Sequence, residues 1–121
     1  MNFKEYRIEV IEDIDENKGG YNCEIYLKND DTNNMIDYFY IPPEDLKINK
    51  NIEYWITKYI NENENEFKTI YFYDNTLGRY KQCRVECEYL NINRLFENFE
   101  DAINYAVQLS DINSFKVQFY R

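Results

Sequence analysis

The sequence predicts an α+β domain: a mostly antiparallel, twisted β-sheet of about six strands with two helices on one face. Six short segments alternate apolar and polar residues, which is the pattern of strands with one buried face. Two longer segments repeat apolar residues at helical spacing. In chain order these segments read βββαββαβ, and the 121 residues are enough for one domain, residues 1–121, with a single modest core.

Three strands are predicted at the start of the chain, over residues 3–11, 21–28 and 35–41. Gly19 and Gly20 lie in the polar turn between the first two strands and supply the positive φ that such a turn needs. The third strand is expected to end at Pro42, because proline has no N–H to donate to a sheet. A short helical turn is expected directly afterwards, at residues 43–46.

The most regular part of the sequence is residues 67–91, which reads as two strands folded back on each other through a turn at 74–78. In the second of these strands apolar and charged positions alternate. The apolar set is Cys83, Val85, Cys87 and Tyr89, and the charged set is Arg84, Glu86 and Glu88. We expect the first set to face the core and the second to face water.

The helical spacing predicts one helix over residues 51–60 and a second that begins after Asn98. Asn98 is suited to capping, and Asp101 stands three residues on, as in a capping box. Residues 91–98 are interpreted as a connector. The final strand, 114–121, follows a helix, which is a connection long enough for parallel pairing.

The composition favours a cytoplasmic protein, in the host cytoplasm if a phage encodes it. No run approaches the roughly twenty apolar residues of a membrane helix, and residues 1–12 lack the features of a signal peptide. Three cysteines, an odd number, argue against a secreted disulfide framework. Thirteen Tyr and eight Phe suit the half-buried positions of a sheet.

The net charge of −9 is concentrated in the first half of the chain. Residues 1–66 hold sixteen Asp/Glu against seven Lys/Arg, whereas residues 67–121 hold seven of each. Acids at positions 61–66 follow the first predicted helix, where they oppose the helix dipole, so helix stability does not explain them. A field of this sign repels nucleic acid and attracts basic surfaces. We therefore expect no direct nucleic-acid binding.

The sequence argues against an enzyme, and we expect no catalytic residues, no cofactor and no metal. It contains no histidine, the most frequent general base and a common zinc ligand. Cys83 and Cys87 stand four apart in a strand, roughly 13 Å from each other, too far to share one metal. With Cys23 they are interpreted as small buried thiols. The three glycines form no phosphate-binding loop.

The acidic residues of the first half are the candidate partner-binding site. They can imitate a phosphate backbone and occupy the basic groove of a nucleic-acid-handling protein, with electrostatic complementarity raising the rate of association. The candidates are Asp13, Asp15, Glu16, Asp30, Asp31, Asp37, Glu44, Asp45, Glu62, Glu64 and Glu66. We therefore predict a small inhibitor that binds a basic protein, of the anti-CRISPR-like, phage anti-defence kind or an immunity protein against a nuclease toxin. The alternative role for these acids is to keep a tyrosine-rich sheet soluble.

A second hypothesis is a non-catalytic module that binds or sequesters a nucleotide-like signal. Aromatic side chains would stack on the base and arginines would pair with phosphate. The candidate residues are Trp55, Tyr71, Tyr73, Arg79, Arg84, Tyr89 and Arg94. A homodimer is a third hypothesis, because exposed edge strands can pair with each other. No membrane partner is expected.

Overall fold

The computed structural model describes residues 2–3, 5–14, 19–28, 33–79 and 81–120. Over these residues the chain forms eight strands and three helices, and the predicted α+β class is confirmed. The single sheet of about six strands is wrong, because the strands form two separate sheets of four. The two helices predicted on one face of that sheet are therefore also reassigned.

The elements in chain order are the strands β1 (Asn2–Phe3), β2 (Tyr6–Glu12), β3 (Tyr21–Leu27) and β4 (Met35–Ile41), the helices α1 (Pro43–Ile48) and α2 (Ile52–Phe67), the strands β5 (Ile70–Asn75), β6 (Gln82–Cys87) and β7 (Ile92–Phe96), the helix α3 (Phe99–Asn113) and the strand β8 (Val117–Tyr120). Contacts group these elements into an N-terminal unit, Met1–Glu64, and a C-terminal unit, Asn65–Arg121. Each unit has its own sheet and its own buried core. The assignment of residues 1–121 to one domain stays a prediction.

The first sheet, in the N-terminal unit, is an antiparallel meander in the order β1-β2-β3-β4. One face carries the core, with Tyr6, Ile8, Cys23 and Ile25 almost completely buried. The other face carries exposed side chains, of which Tyr38 is 68% accessible. Alternation along the strands therefore separates a buried face from a wet one, as predicted.

A bulge interrupts β4 where its register to β3 shifts, between the pairs Ile25–Asp37 and Tyr26–Met35. Ile36 is the extra residue, and its side chain is buried. Asp37 also points towards the helices, since its carboxylate accepts a hydrogen bond from Tyr59 on α2. The bulge thus turns two consecutive side chains away from solvent, which strict alternation would not allow.

Helix α2 packs on the core face of the first sheet. Ile56 and Ile60 are buried on this helix, and the ring of Tyr59 stacks on Phe39 of β4 with centroids 4.1 Å apart. The side chain of Asn51 caps the helix by accepting a hydrogen bond from the backbone N–H of Glu53 at 3.0 Å. The helix runs seven residues beyond the predicted end at residue 60, so the acidic segment is helical.

The second sheet, in the C-terminal unit, has the order β7-β6-β5-β8. Strands β5, β6 and β7 pair antiparallel, whereas β8 pairs parallel to β5. Helix α3 covers one face, and Ala102 and Ala106 let it approach closely. The buried set beneath it is Ile70, Phe72, Cys83, Val85 and Cys87, which includes three of the four residues predicted for the core side of the hairpin. The fourth, Tyr89, packs partly buried against this core.

Residues 91–98 were interpreted as a connector, and this was wrong for Ile92–Phe96, which form β7. The alternation is weak there because Arg94 occupies a position on the helix-covered face. Its guanidinium lies 4.8 Å from the ring centroid of Phe96 and 5.1 Å from that of Tyr105. A charged residue that stacks on aromatic rings in this way makes an inward position look polar in the sequence.

Candidate protein-binding groove

The antiparallel order of the first sheet brings acids that are distant in sequence to one end of it. Strand β2 ends at the same end of the sheet as β4, because Glu12 pairs with Tyr21 and Tyr21 with Ile41. Asp13 follows β2, and α1 follows β4 with Glu44 and Asp45 in its first turn. The chain topology therefore places these carboxylates on two segments at the same end of the sheet, the loop after β2 and helix α1.

A groove opens at this end of the N-terminal unit, lined by residues of β4, α1 and α2. We call it the acidic groove, with the lining residues Phe39, Tyr40, Ile41, Asp45, Trp55, Lys58, Tyr59 and Glu62. Its cavity volume is about 150 Å³. Four of these residues are aromatic, two are acids and one is a lysine, so the site combines ring surfaces with a net negative charge.

Hydrogen bonds hold the aromatic lining in place. The hydroxyl of Tyr59 donates to Oδ2 of Asp37 at 2.6 Å, which fixes the ring that stacks on Phe39. The indole Nε1 of Trp55 donates to the carbonyl of Asn49 at 2.8 Å, so this ring is tied to the segment that joins α1 to α2. These hydrogen bonds restrict the orientations that the two side chains can adopt.

Tyr40 links the groove to the two acids beside it. Its hydroxyl donates to the carbonyl oxygen of Gly19 at 2.5 Å. Partial burial raises the pKa of Tyr40, and the negative charges of Asp13 and Glu44 raise it further. Both carboxylates are therefore close enough for their field to act on this phenol.

Lys58 is the cation among the lining residues of the groove. Its Nζ lies 3.4 Å from Oε1 of Glu62, one helical turn further along α2. The same Nζ lies 5.9 Å from the centroid of the Trp55 indole, at the outer limit of a cation–π contact. About half of each charged side chain is exposed, so the ion pair is on the surface.

The predicted partner-binding acids do not all lie together. Asp45 and Glu62 line the groove, Asp13 and Glu44 lie near enough to the hydroxyl of Tyr40 to raise its pKa, and Asp37 is bonded to Tyr59 of the lining. Two more acids, Glu64 and Glu66, lie further along α2, and Glu64 is half-buried. Glu66 belongs to the C-terminal unit. Burial raises the pKa of Tyr71 in that unit, and the negative charge of Glu66 raises it further. The remaining acids, Asp15, Glu16, Asp30 and Asp31, lie outside the described residues.

Part of the predicted ligand-binding set lies together on the uncovered face of the second sheet. The ring of Tyr73 stacks on that of Tyr120 at 5.2 Å, and Tyr71 lies 6.0 Å from the same ring. The guanidinium of Arg84 lies 4.6 Å from the Tyr73 centroid. Its Nε is also 2.9 Å from a carboxylate oxygen of Glu86, so the charge of this arginine is already paired.

The other members of that set are elsewhere. Trp55 lies in the acidic groove, and Arg79 lies in the turn after β5. Tyr89 packs edge-on against Phe115 at 5.4 Å, and Arg94 lies across the rings beside α3. The linings of the acidic groove and of the pocket described next contain no arginine.

A pocket in the C-terminal unit has a volume of about 460 Å³ and is lined by Asn65, Lys68, Ser114, Phe115 and Lys116. Its two lysines give it the opposite sign to the acidic groove. Ser114 caps the C-terminal end of α3, and Asn65 lies in the last turn of α2. Helix C-termini carry partial negative charge, so these lysines complement the helix ends.

The cysteines are buried free thiols, as predicted. Burial raises the pKa of Cys23 to about 11 and also raises that of Cys83 and Cys87. The nearby carboxylate of Asp74 raises the pKa of Cys83 further. These thiols therefore stay protonated at neutral pH. Within the described ranges, no three His, Cys, Asp or Glu side chains come together as a metal site would require.

Sequence reasoning missed Lys58, Tyr59, Phe39 and Tyr40 as site residues. A signal for two of them was present, because Trp55, Lys58, Tyr59 and Glu62 follow the i, i+3, i+4, i+7 spacing of one helix face. Of this face, Trp55 and Glu62 had been named as candidate site residues, whereas Lys58 and Tyr59 had not. Tyr59 both packs on the first sheet, where its ring stacks on Phe39, and lines the groove.

Comparison of the chain with protein-family models, with curated proteins and with solved structures gave no match. In the part of the chain that the structure describes, none of the helices combines the length and apolarity needed to cross a membrane.

Proposed function

We propose that this protein is an inhibitor that binds a basic protein partner through the acidic groove and the carboxylates beside it. The partner is a nuclease or a defence effector, and the inhibitor occupies the surface that would otherwise hold nucleic acid. The chain itself performs no chemistry in this proposal. Such a role fits a phage anti-defence protein or an immunity protein against a nuclease toxin.

The gathering of four acids at one end of the first sheet carries this proposal. Asp45 and Glu62 come from two different helices and line one aromatic groove, and Asp13 and Glu44 act on the hydroxyl of Tyr40, another of its lining residues. Acids that served only for solubility would have no reason to converge around rings. Aromatic anchors surrounded by charges are typical of protein-binding hot spots.

The distribution of charge over the two units also supports binding through the N-terminal unit. Residues 1–64 contain fifteen Asp/Glu and seven Lys/Arg, a net charge of −8, whereas residues 65–121 contain eight and seven, a net charge of −1. A one-sided field steers a positively charged partner towards one surface and speeds its association.

The test compares two variants with the same net charge. The groove variant carries Asp13→Asn, Glu44→Gln, Asp45→Asn and Glu62→Gln. The control variant neutralises four exposed acids away from the groove, Glu53→Gln, Glu97→Gln, Glu100→Gln and Asp111→Asn. Each protein is immobilised and used to capture basic proteins from lysate, with and without duplex DNA as a competitor, at low and at physiological salt. Circular dichroism checks that both variants fold.

The expected result is capture of a nucleic-acid-binding protein by the wild type and by the control variant, with loss of capture by the groove variant. DNA should release the partner, because both compete for one basic surface, and added salt should weaken the complex. Equal loss in both variants would assign the effect to net charge alone. A partner that DNA does not displace would contradict the nucleic-acid-groove mechanism.

A second candidate function is binding of a nucleotide-like signal on the uncovered face of the second sheet. The observation that favours it is the grouping of Tyr71, Tyr73 and Tyr120 with Arg84. Stacked tyrosines offer ring surface to a base, but one arginine already paired with Glu86 offers little for phosphate. The face therefore supports a planar, weakly charged ligand better than a highly phosphorylated one.

Thermal shift with a panel of nucleosides and nucleotides tests this candidate. We expect a ligand of this face to raise the melting temperature of the wild type but not that of Tyr73→Ala, with Tyr54→Ala as the exposed-tyrosine control. No stabilisation by any member of the panel would eliminate it.

A further inference from the structure

The size of the acidic groove restricts what can occupy it. Its volume of about 150 Å³ is below the roughly 300–1,000 Å³ of pockets that hold drug-sized ligands. A cavity of about this volume holds a benzene-sized group. The groove therefore suits one side chain presented by a larger molecule.

A cation of the protein itself, the ammonium of Lys58, already lies in the groove. The ammonium of Lys58 lies between the carboxylate of Glu62 and the indole of Trp55, at 3.4 Å and 5.9 Å respectively. Both distances are long for their type of contact, and the lysine side chain is half-exposed. A loosely held surface ion pair of this kind is readily exchanged for a better one.

We propose that the groove takes an arginine side chain of the partner, which replaces Lys58 between Trp55, Glu62 and Asp45. This inference rests on the proposed function and specifies its central contact. Arginine fits better than lysine, because a planar guanidinium stacks on an aromatic ring and at the same time donates to carboxylates in a fork geometry. Asp45 on α1 and Glu62 on α2 line the same groove and supply those carboxylates.

Lys58 then acts as an internal competitor, and its removal should tighten binding. Lys58→Met keeps the length of the side chain and removes its charge. Lys28→Met makes the same change in net charge at the opposite end of the first sheet, since residue 28 follows the last residue of β3, and it is the matched control.

Trp55 is the single tryptophan of the chain, so its fluorescence reports on the groove directly. The experiment titrates the full chain with blocked tetra-arginine, and separately with tetra-lysine and tetra-glutamate, at low salt, with calorimetry as a second readout. The arginine peptide should produce a saturable change that tetra-glutamate does not. Tetra-lysine should bind about two- to fivefold more weakly, the factor that an exposed cation–π contact corresponds to.

Lys58→Met should tighten tetra-arginine binding at least about threefold more than Lys28→Met does. Asp45→Asn should weaken it about tenfold, a factor corresponding to one charge-assisted hydrogen bond, whereas Glu53→Gln on the exposed side of α2 should change it little. Equal effects of Lys58→Met and Lys28→Met would overturn the proposal, as would equal affinity for the two basic peptides. A Trp55 signal that saturates with protein concentration alone would assign the groove to a second copy of the chain and would also overturn it.

The two proposals fail in different ways. If tetra-arginine binds as described but capture finds no nucleic-acid-binding partner that DNA displaces, the groove recognises arginine and the inhibitor function is wrong. If the groove variant loses its partner but tetra-arginine leaves Trp55 unchanged, the inhibitor function stands and the arginine contact is overturned.

Discussion

At the scale of single residues, Gly20 allows the turn before β3 to pack closely against the end of β4. Its φ is +76°, in the region that L side chains rarely adopt. A Cβ built on this residue would lie 2.2 Å from the carbonyl oxygen of Ile41 and 2.9 Å from the hydroxyl of Tyr40. The turn can therefore approach the end of β4 so closely only because residue 20 has no side chain.

We expect Gly20→Ala to lower the free energy of unfolding by at least about 1–2 kcal/mol, from the backbone strain alone. Gly78→Ala is the control, because Gly78 needs no positive φ and the nearest atom to its Cβ, the carbonyl oxygen of Asn75, is 3.2 Å away. Urea unfolding followed by circular dichroism measures both. Equal loss in the two variants would contradict the role given to Gly20.

The thiol of Cys23 makes the free energy of unfolding depend on pH in the alkaline range. Its side chain is fully buried in the core of the first sheet, and burial raises its pKa from 9.0 to about 11. The unfolded thiol ionises first, so the stabilisation is fully present below about pH 9 and is lost as the pH rises through about 11. The free energy of unfolding falls with rising pH because the folded state favours the protonated thiol over the thiolate.

Unfolding free energies measured from pH 8 to pH 11 under reducing conditions should therefore fall more steeply for the wild type than for Cys23→Ala. The difference should approach about 1.4 kcal/mol per pH unit in this window, the effect of one proton. Tyrosines that ionise in the same range are common to both proteins and cancel in the comparison. Parallel pH profiles would show that Cys23 does not ionise differently in the two states.

At the scale of elements, α2 carries a charge pattern that works against its own stability. Glu53 stands in the first turn, where a negative charge is favourable, but the last turn has no basic residue and contains Glu66. The helix is nevertheless sixteen residues long, because Ile56, Ile60 and Phe67 are buried along it. Burial of this apolar stripe outweighs a few tenths of a kcal/mol from each unfavourable charge.

Reversing charge at the two ends of α2 separates the helix dipole from net charge. We expect Glu66→Lys to stabilise the protein by about 0.3–1 kcal/mol and Glu53→Lys to destabilise it by a similar amount. Both substitutions reduce the negative charge of the chain equally, so a net-charge effect would have the same sign in both. Chemical denaturation at low salt distinguishes these results.

Local patterns predicted most elements well, because each strand and helix is fixed by its own sequence. The predicted strand 35–41 matches β4 to the residue, the predicted strand 21–28 extends one residue beyond β3, and Asn98 caps α3 as predicted, accepting from the backbone N–H of Asp101 at 2.8 Å. The pairing of strands into one or two sheets depends on contacts between distant segments, and periodicity carries no information about those. The same limit applies to the groove: its acids were identified, but their convergence follows from strand order.

The division of charge is a property of the whole molecule. The N-terminal unit has a net charge of −8 and the C-terminal unit a net charge of −1. Like charges in one compact unit repel each other and lower its stability, and salt screens this repulsion over a Debye length of about 8–10 Å. The cost in stability is the counterpart of the field that would attract a basic partner.

Raising NaCl from about 10 to 500 mM should therefore raise the urea concentration at the midpoint of unfolding. The corresponding increase in the free energy of unfolding is on the order of 1 kcal/mol. The groove variant with four acids neutralised should respond less than the wild type, while the control variant should respond more nearly like the wild type. An unchanged or falling midpoint would mean that the acids are too far apart to repel each other. An uncharged osmolyte at matched osmolality separates screening from general solvent effects.

All the lining residues of the groove fall within residues 39–62, one uninterrupted stretch that runs through β4, α1 and α2. A gene fragment of that length can thus move as a cassette. Recombination that replaced it would exchange the whole groove lining in one step and leave the three earlier strands unchanged. The same modularity invites grafting, in which this stretch is transplanted onto another antiparallel meander to place the same groove lining on a new protein.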